Sequence, residues 1–240
     1  MNTNNLSIAT ITWARNVDEE TLLRESLQHL SALQIPVFVT DGGSHNSFTD
    51  FVESLPNCTL VKAEGKGLWP QAKSSLQAAY DSGSSFILYT EPDKKNFFEQ
   101  SLPGFLTEAA EDDDTGIVLA SRSAIAFETF PPFQRTTETA INFCCAEITC
   151  QSLDYTYGPF LLNRKLVPNL QQVKKDIGWG WRPYAFCIAH RLGYRLNQLT
   201  GNFECPAGQR EDDATERLYR MKQLSQNIDG IVLAAGAKLQ

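Results

Sequence analysis

The chain has 240 residues with 21 basic and 28 acidic side chains, a formal net charge of −7 at neutral pH. Nucleic-acid binders carry a basic domain or patch, so this balance argues against that partner class. With 42% apolar and 20% charged residues the composition excludes a disordered or fibrous chain, and the length permits one large domain or two small ones.

The opening residues, 1–16, lack a basic start followed by an apolar stretch, and nowhere do about 18 apolar residues run together. The expectation is a chain with no targeting peptide and no transmembrane segment. The six cysteines (Cys58, Cys144, Cys145, Cys150, Cys187 and Cys205) include no Cys-x-x-Cys pair, and three crowd one helix-like stretch. Free thiols and a cytoplasmic location are expected.

The first half alternates β-rich and helix-period runs, the pattern of a parallel sheet with crossover helices. Leu6–Thr12 reads as a strand. Asn16, three residues before Glu19, forms a capping-box arrangement for a helix carrying Leu23, Leu27 and Leu30. Ile35–Thr40 is a strand stopping at Asp41-Gly42-Gly43-Ser44, and a helix begins near Ser47. Thr59–Ala63 is the third strand. After Gly65-Lys66-Gly67 a helix bears Leu68, Ala72, Leu76 and Ala79, and Ser85–Thr90 is a strand ended by Glu91-Pro92-Asp93.

Asn96–Ala110 reads as a helix interrupted near Pro103-Gly104, Glu111–Asp114 as a solvated turn, and Gly116–Ser121 as the fifth strand. Beyond it the pattern loosens: a helix from Gln134 to about Cys150, a strand over Tyr157–Leu162, a helix over Pro183–Leu192, and a last helix from Asp213 to about Gln226. No repeat or linker marks a boundary, so residues 1–240 read as one α/β domain with a regular half (1–125) and an irregular half (126–240).

In open parallel α/β sheets ligands bind beyond the carboxyl ends of the strands. Arg15, Asp41, Lys66, Glu91, Asp93 and Arg122 all follow strands and converge there, although Asp and Gly also serve as caps and turns at such places. Glu91-Pro92-Asp93 is the sharpest element. Residues two apart in extended backbone share a side, and Pro92 favours that geometry, so two carboxylates are expected to project together. Two such hard oxygen ligands suit Mg²⁺ or Mn²⁺ bound with substrate phosphates; a solvated turn with a helix cap is the competing interpretation.

At this point the chain resembles the nucleotide-sugar glycosyltransferases of the GT-A fold, especially family 2, across roughly its first 125 residues. Trp13-Ala14-Arg15-Asn16 stands where those enzymes have a Pro-x-x-Asn-Glu loop, and Asp41 to Ser47 is close to their Asp-Gly-Gly-Ser-Thr-Asp-Gly motif. Glu91-Pro92-Asp93 occupies the Asp-x-Asp position, and Gly116–Arg122 looks like the Ser-Arg-ending strand of the dolichol phosphate mannose synthase branch. Gly65-Lys66-Gly67-Leu68-Trp69 is similar to a segment of the glucosyl phosphoglycerate synthases, which are retaining enzymes. The departures are Trp13 for proline, Val17 for the acidic residue, and Glu91 for the first metal-motif aspartate.

The resemblance implies a single mainly parallel GT-A sheet flanked by helices, and transfer of a sugar from a nucleoside diphosphate donor to a small-molecule, lipid or glycan acceptor. In that scheme Trp13, Ala14, Arg15, Asp41 and Gly43 line the donor, with Asp41 holding the nucleoside. Asp93 with Glu91 holds Mn²⁺ or Mg²⁺, and Lys66 or Arg122 adds positive charge at the diphosphate. Glu204 is the expected third metal ligand, and Tyr157, Gly158, Trp179 and Trp181 lie on the acceptor side. Trp179 and Trp181 either stack on a sugar or pack a core. Asp176 is the carboxylate nearest the place where inverting members keep a base.

Two other readings stay open. One is a nucleotidyltransferase, whose glycine-rich signature follows the first strand; Ile231–Lys238 resembles it but reads as a terminal apolar segment. The other is a non-catalytic nucleotide-sugar-binding module of the same fold.

Overall fold

The structure, a computed structural model, describes residues 5–109 and 112–239. Ala110 and Glu111, expected at a helix end and in an acidic turn, lie outside the described residues. In chain order the elements are β1 (Leu6–Thr12), α1 (Val17–Ala32), β2 (Val37–Asp41), α2 (Asn46–Ser54), β3 (Cys58–Val61), α3 (Leu68–Asp81), β4 (Phe86–Tyr89), α4 (Lys95–Gln100), α5 (Leu102–Glu108) and β5 (Thr115–Arg122). They continue with α6 (Ala124–Glu128), α7 (Pro132–Thr149), β6 (Phe160–Asn163), α8 (Val167–Gln171), α9 (Trp181–Arg191), β7 (Arg195–Gly201) and α10 (Ala214–Gly236). The architecture is α/β with mainly parallel strands.

The chain forms two compact units: residues 5–109 with 159–176, and residues 112–158 with 177–239. The division therefore does not fall once near residue 125, because β5 belongs to the second unit and β6 with α8 returns to the first.

In the first unit the strand order is β3-β2-β1-β4-β6. The pairs β1–β2, β1–β4 and β2–β3 are parallel and only β6 runs antiparallel to its neighbour, β4. Asn16 Oδ1 accepts the Glu19 N–H at 2.9 Å, and Asp18, Glu19 and Glu20 complement the positive helix end, so α1 begins where the sequence signal places it. Leu27 and Leu30 are fully buried, each stabilising the fold by about 1.5–3 kcal/mol. Helix α3 covers β1 and β2, and α2 covers β3. The expected long helix after β4 is two, because the chain breaks at Ser101 and Pro103 then takes a first-turn position of α5, where its missing N–H costs nothing.

In the second unit β5 and β7 pair in parallel, and α10 packs on α7 and α9. Helix α10 runs on to Gly236, ten residues past the expected end, so the apolar stretch from Ile231 is its last turns. Ile231 and Ala234 are buried. Gly230 permits the packing: a Cβ there would overlap the backbone of Gly180, and one on Gly180 would overlap that of Gln226. A helical segment cannot serve as the phosphate-cradling loop after a strand that the nucleotidyltransferase reading requires.

Candidate active site

Parallel register brings the predicted donor residues of the first unit to one sheet edge. Thr12 lies opposite Asp41, Ala9 opposite Tyr89 and Thr40 opposite Val61, so the segments that follow β1, β2, β3 and β4 leave on the same side. Trp13 to Arg15, Asp41 to Ser44, Lys66 and Glu91 to Asp93 all belong to these segments.

Asp41 builds its own loop. Its Oδ1 accepts the N–H groups of Gly43 (2.8 Å) and Ser44 (2.6 Å), and its Oδ2 accepts the hydroxyls of Thr12 (2.8 Å) and Ser44 (2.7 Å). A carboxylate has about four lone-pair sites, so it meets a ligand only by giving up one of these bonds. Ser44 Oγ also accepts the Ala14 N–H at 2.7 Å and so ties the first loop to the second. Gly43, at φ +120°, takes a conformation closed to most side chains. Gly42 passes close to its neighbours: a Cβ there would stand 3.1–3.2 Å from the Gln71 amide and Trp13 Cβ.

Above this loop Trp13 is 56% exposed, with the Arg15 guanidinium 5.5 Å from its ring centroid. Arg15 is held by Glu19 through Nε (3.0 Å) and Nη2 (2.6 Å). Partial burial acts to raise the Glu19 carboxyl, but the Arg15 hydrogen bonds outweigh it and hold the group below the usual carboxylate range.

The Gly65-Lys66-Gly67 loop sets an exposed Lys66 between two glycines at φ +122° and +121°. Gly67 is the N-cap of α3 and supplies no side-chain acceptor. That acceptor comes from 107 residues away: Asp176 Oδ1 accepts the Trp69 N–H at 3.3 Å. A Cβ on Gly67 would overlap the Asp176 carboxylate. Asp176, expected as the candidate base, thus sits against the start of a helix.

Glu91-Pro92-Asp93 departs from the expected extended geometry. The Lys94 N–H donates to the Glu91 carbonyl at 3.4 Å, closing a turn with Pro92 at its second position, where proline's fixed φ is favoured. The carboxylates are consequently unequal. Glu91 is 8% exposed, whereas the half-exposed Asp93 receives Lys94 Nζ at 2.9 Å. The two hard oxygen donors fit a Mg²⁺ or Mn²⁺ that takes its remaining ligands from phosphates and water. Among the described residues no three His, Cys, Asp or Glu side chains form a group that could hold a metal. Glu204, expected as the third ligand, is exposed in the second unit, where it accepts the Asn202 amide at 3.0 Å.

The second unit encloses two of the expected site residues, Arg122 and Trp181. Arg122 is 1% exposed in its side chain; it contacts Glu138 at 2.7 Å, Asp154 through Nε and Nη2 at 2.8 Å, and the Thr156 hydroxyl at 2.8 Å. The rings of Phe127 and Phe130 lie 4.6 and 4.5 Å from its guanidinium carbon. Burial acts to lower the Arg122 pKa, but the charge of Glu138 and then the Asp154 hydrogen bond outweigh it and hold the arginine charged; burial acts to raise Asp154, but the Arg122 hydrogen bond and charge hold it at about 2. Two largely enclosed carboxylates balance this cation, which is expected at a diphosphate but here already holds partners of opposite charge. Trp181 is fully buried and packs a core instead of stacking on a sugar. Tyr157, 9% exposed, stacks on Phe203 at 4.9 Å, and Gly158 beside it is buried. Trp179 keeps a partly exposed ring whose Nε1–H donates to the Tyr219 hydroxyl at 3.1 Å.

Sequence reasoning missed Glu138, Gln71 and the capping role of Asp176. Glu138 sits at a core-facing position of α7, in helical register with the buried Gln134 and Ile141, and an acid on that face was the available signal.

This architecture is the GT-A fold. Glucosyl-3-phosphoglycerate synthase from Mycobacterium tuberculosis, solved with Mn²⁺, UDP and glucosyl-3-phosphoglycerate, is similar over 98% of this chain and 81% of its own, with a TM-score of 0.61 and 16% identity. Mannosyl-3-phosphoglycerate synthase from Rubrobacter xylanophilus is similar over 98% and 76%, with a TM-score of 0.64 and 15% identity. No protein-family model and no curated protein sequence matches the chain. Among the described residues no helix is long and apolar enough to cross a membrane.

Proposed function

We propose that this chain is a glycosyltransferase that moves a sugar from a nucleoside diphosphate donor to a small acceptor. The observation that carries the reading is the single sheet edge of the first unit, where the Asp41–Ser44 loop, Lys66 and the Glu91/Asp93 pair follow adjacent strands in a fold shared with a synthase holding UDP and Mn²⁺. Asp41 orders the loop whose backbone and whose neighbour Trp13 meet the nucleoside. Lys66 supplies a positive charge to the diphosphate. Asp93, with Glu91 behind it, would hold a Mn²⁺ or Mg²⁺ whose positive charge favours departure of the diphosphate. The free cysteines support a reducing, cytoplasmic setting.

Retention of configuration is the stereochemical part of the proposal. Its support is the capping position of Asp176, which engages the residue nearest the expected place of an inverting base. A second reading, a donor-binding module without turnover, is favoured by the Lys94 ammonium already paired with Asp93.

The test is a thermal-shift and turnover panel of nucleoside diphosphates and nucleotide sugars, with and without Mn²⁺, and with 3-phosphoglycerate as the first acceptor. Metal-dependent donor binding with transfer or hydrolysis is expected. Metal-independent binding without either would select the binding module, and no binding by any nucleotide would remove both readings.

A further inference from the structure

Helix α3 begins without a cap of its own, and a segment far along the chain provides one. Its first turn holds no acidic residue, and the N-cap Gly67 has no side chain to accept an amide. Unpaired N–H groups at a helix start need acceptors. Asp176 Oδ1 takes the Trp69 N–H at 3.3 Å, while Oδ2 is the atom that a Gly67 Cβ would overlap, so both oxygens face the end of the loop.

The segment carrying Asp176 is itself clamped to α3. Trp69 Nε1–H donates to the Val173 carbonyl at 3.2 Å, and Lys73 Nζ donates to the carbonyls of Gln171 (2.9 Å) and Val173 (3.1 Å). Gln171 Nε2 returns a bond to the Lys73 carbonyl at 3.1 Å. The loop it meets, with Lys66 between two positive-φ glycines, is the kind of backbone that keeps many conformations unless an outside contact selects one.

We propose that Asp176 is a positioning residue for Lys66: by capping α3 it sets the Gly65–Gly67 loop so that the Lys66 ammonium meets the donor diphosphate. This rests on the donor reading above and assigns Asp176 no proton transfer. An asparagine keeps an Oδ1 acceptor and leaves space for Gly67, so Asp176→Asn separates the cap from a base.

The experiment measures amide exchange at Trp69 without ligand, and the affinity of wild type, Asp176→Asn, Asp176→Ala, Lys66→Ala and the Asp176→Ala/Lys66→Ala double variant for the tightest of UDP, GDP, ADP, CDP and dTDP with Mn²⁺. In Asp176→Ala, Trp69 exchange accelerates and affinity falls about tenfold, the scale of one charge-assisted contact. Asp176→Asn stays within about threefold of wild type in both, and the double variant binds no more weakly than Lys66→Ala alone, since both changes remove one interaction.

Wild-type affinity in Asp176→Ala, or additive losses in the double variant, would overturn the positioning role while leaving the donor reading intact. Failure of all five nucleotides to bind wild type would overturn the donor reading and this proposal with it. Where turnover is found, a loss of about a hundredfold in Asp176→Asn with donor binding unchanged would mark a base and overturn the assignment.

Discussion

Replacing Arg122 by methionine removes the cation from a closed cluster and leaves Glu138 and Asp154 buried without it. Breaking a buried pair by removing one partner costs about 3–5 kcal/mol, because the remaining charge is uncompensated. Linkage gives an independent figure for part of this. Asp154 is held at about 2 against an ordinary aspartate value of 3.8, which corresponds to about 2 kcal/mol of stability at neutral pH. The folded pKa is depressed, so that contribution is complete above about pH 4 and disappears as pH falls towards 2. Urea melts followed by circular dichroism at pH 7 should therefore show Arg122→Met less stable by about 3–5 kcal/mol, and thermal melts a fall in Tm of about 6–20 °C. The gap should narrow below pH 4 as Asp154 takes up a proton. Adding Asp154→Asn and Glu138→Gln to Arg122→Met should recover part of the loss at neutral pH. A loss under about 1 kcal/mol at pH 7, or one equally large at pH 2.5, would refute the reasoning.

Three further outcomes follow from the site and the packing. Asp93→Ala should abolish Mn²⁺-dependent thermal stabilisation by a nucleoside diphosphate while Glu91→Asp retains much of it, since a metal held by one or two carboxylates plus phosphates loses its main protein anchor; unchanged metal dependence in Asp93→Ala would remove the metal assignment. Trp13→Ala should leave the unfolding free energy from urea melts within about 0.5 kcal/mol, as expected for an exposed side chain, yet weaken nucleotide binding about fivefold or more by isothermal titration, the low end of aromatic–base stacking. Gly230→Ala should destabilise by about 1–3 kcal/mol or more in the same melts, because its methyl would enter the Gly180 backbone; near-wild-type stability would show that α10 can shift.

The first unit was readable because its signals are local. Asn16 caps α1, Leu27 and Leu30 recur at helical spacing, and β1 and α3 begin at Leu6 and Leu68 as the pattern indicates. What stayed hidden depends on partners far along the chain. Strand β7 reads Arg-Leu-Asn-Gln-Leu-Thr-Gly, with only Leu196 buried; its ladder with β5, not its own composition, makes it a strand. The true length of α10 depends on Gly230 meeting Gly180, 50 positions earlier, and no periodicity within the helix records that contact.

The same distinction governs the site. Residue type announces a carboxylate, but not whether a substrate or a backbone amide will meet it. Asp41 and Asp176 both accept backbone N–H groups, one inside its own loop and the other across 107 residues, while the buried Arg122 faces two carboxylates that are largely enclosed with it. Each of these three already holds contacts within the protein. Trp13 and Lys66 are exposed on the segments that leave the sheet edge, and the partly exposed Asp93 pairs with the flexible side chain of its neighbour Lys94. A donor's nucleoside, phosphate charge and metal need groups able to change partners on binding, whereas a fully bonded carboxylate would have to break native contacts first. On the proposed donor reading, Lys66 and Asp93 are therefore the substitutions expected to impair donor binding without unfolding the chain, since a surface lysine is a partner readily exchanged for a metal or phosphate.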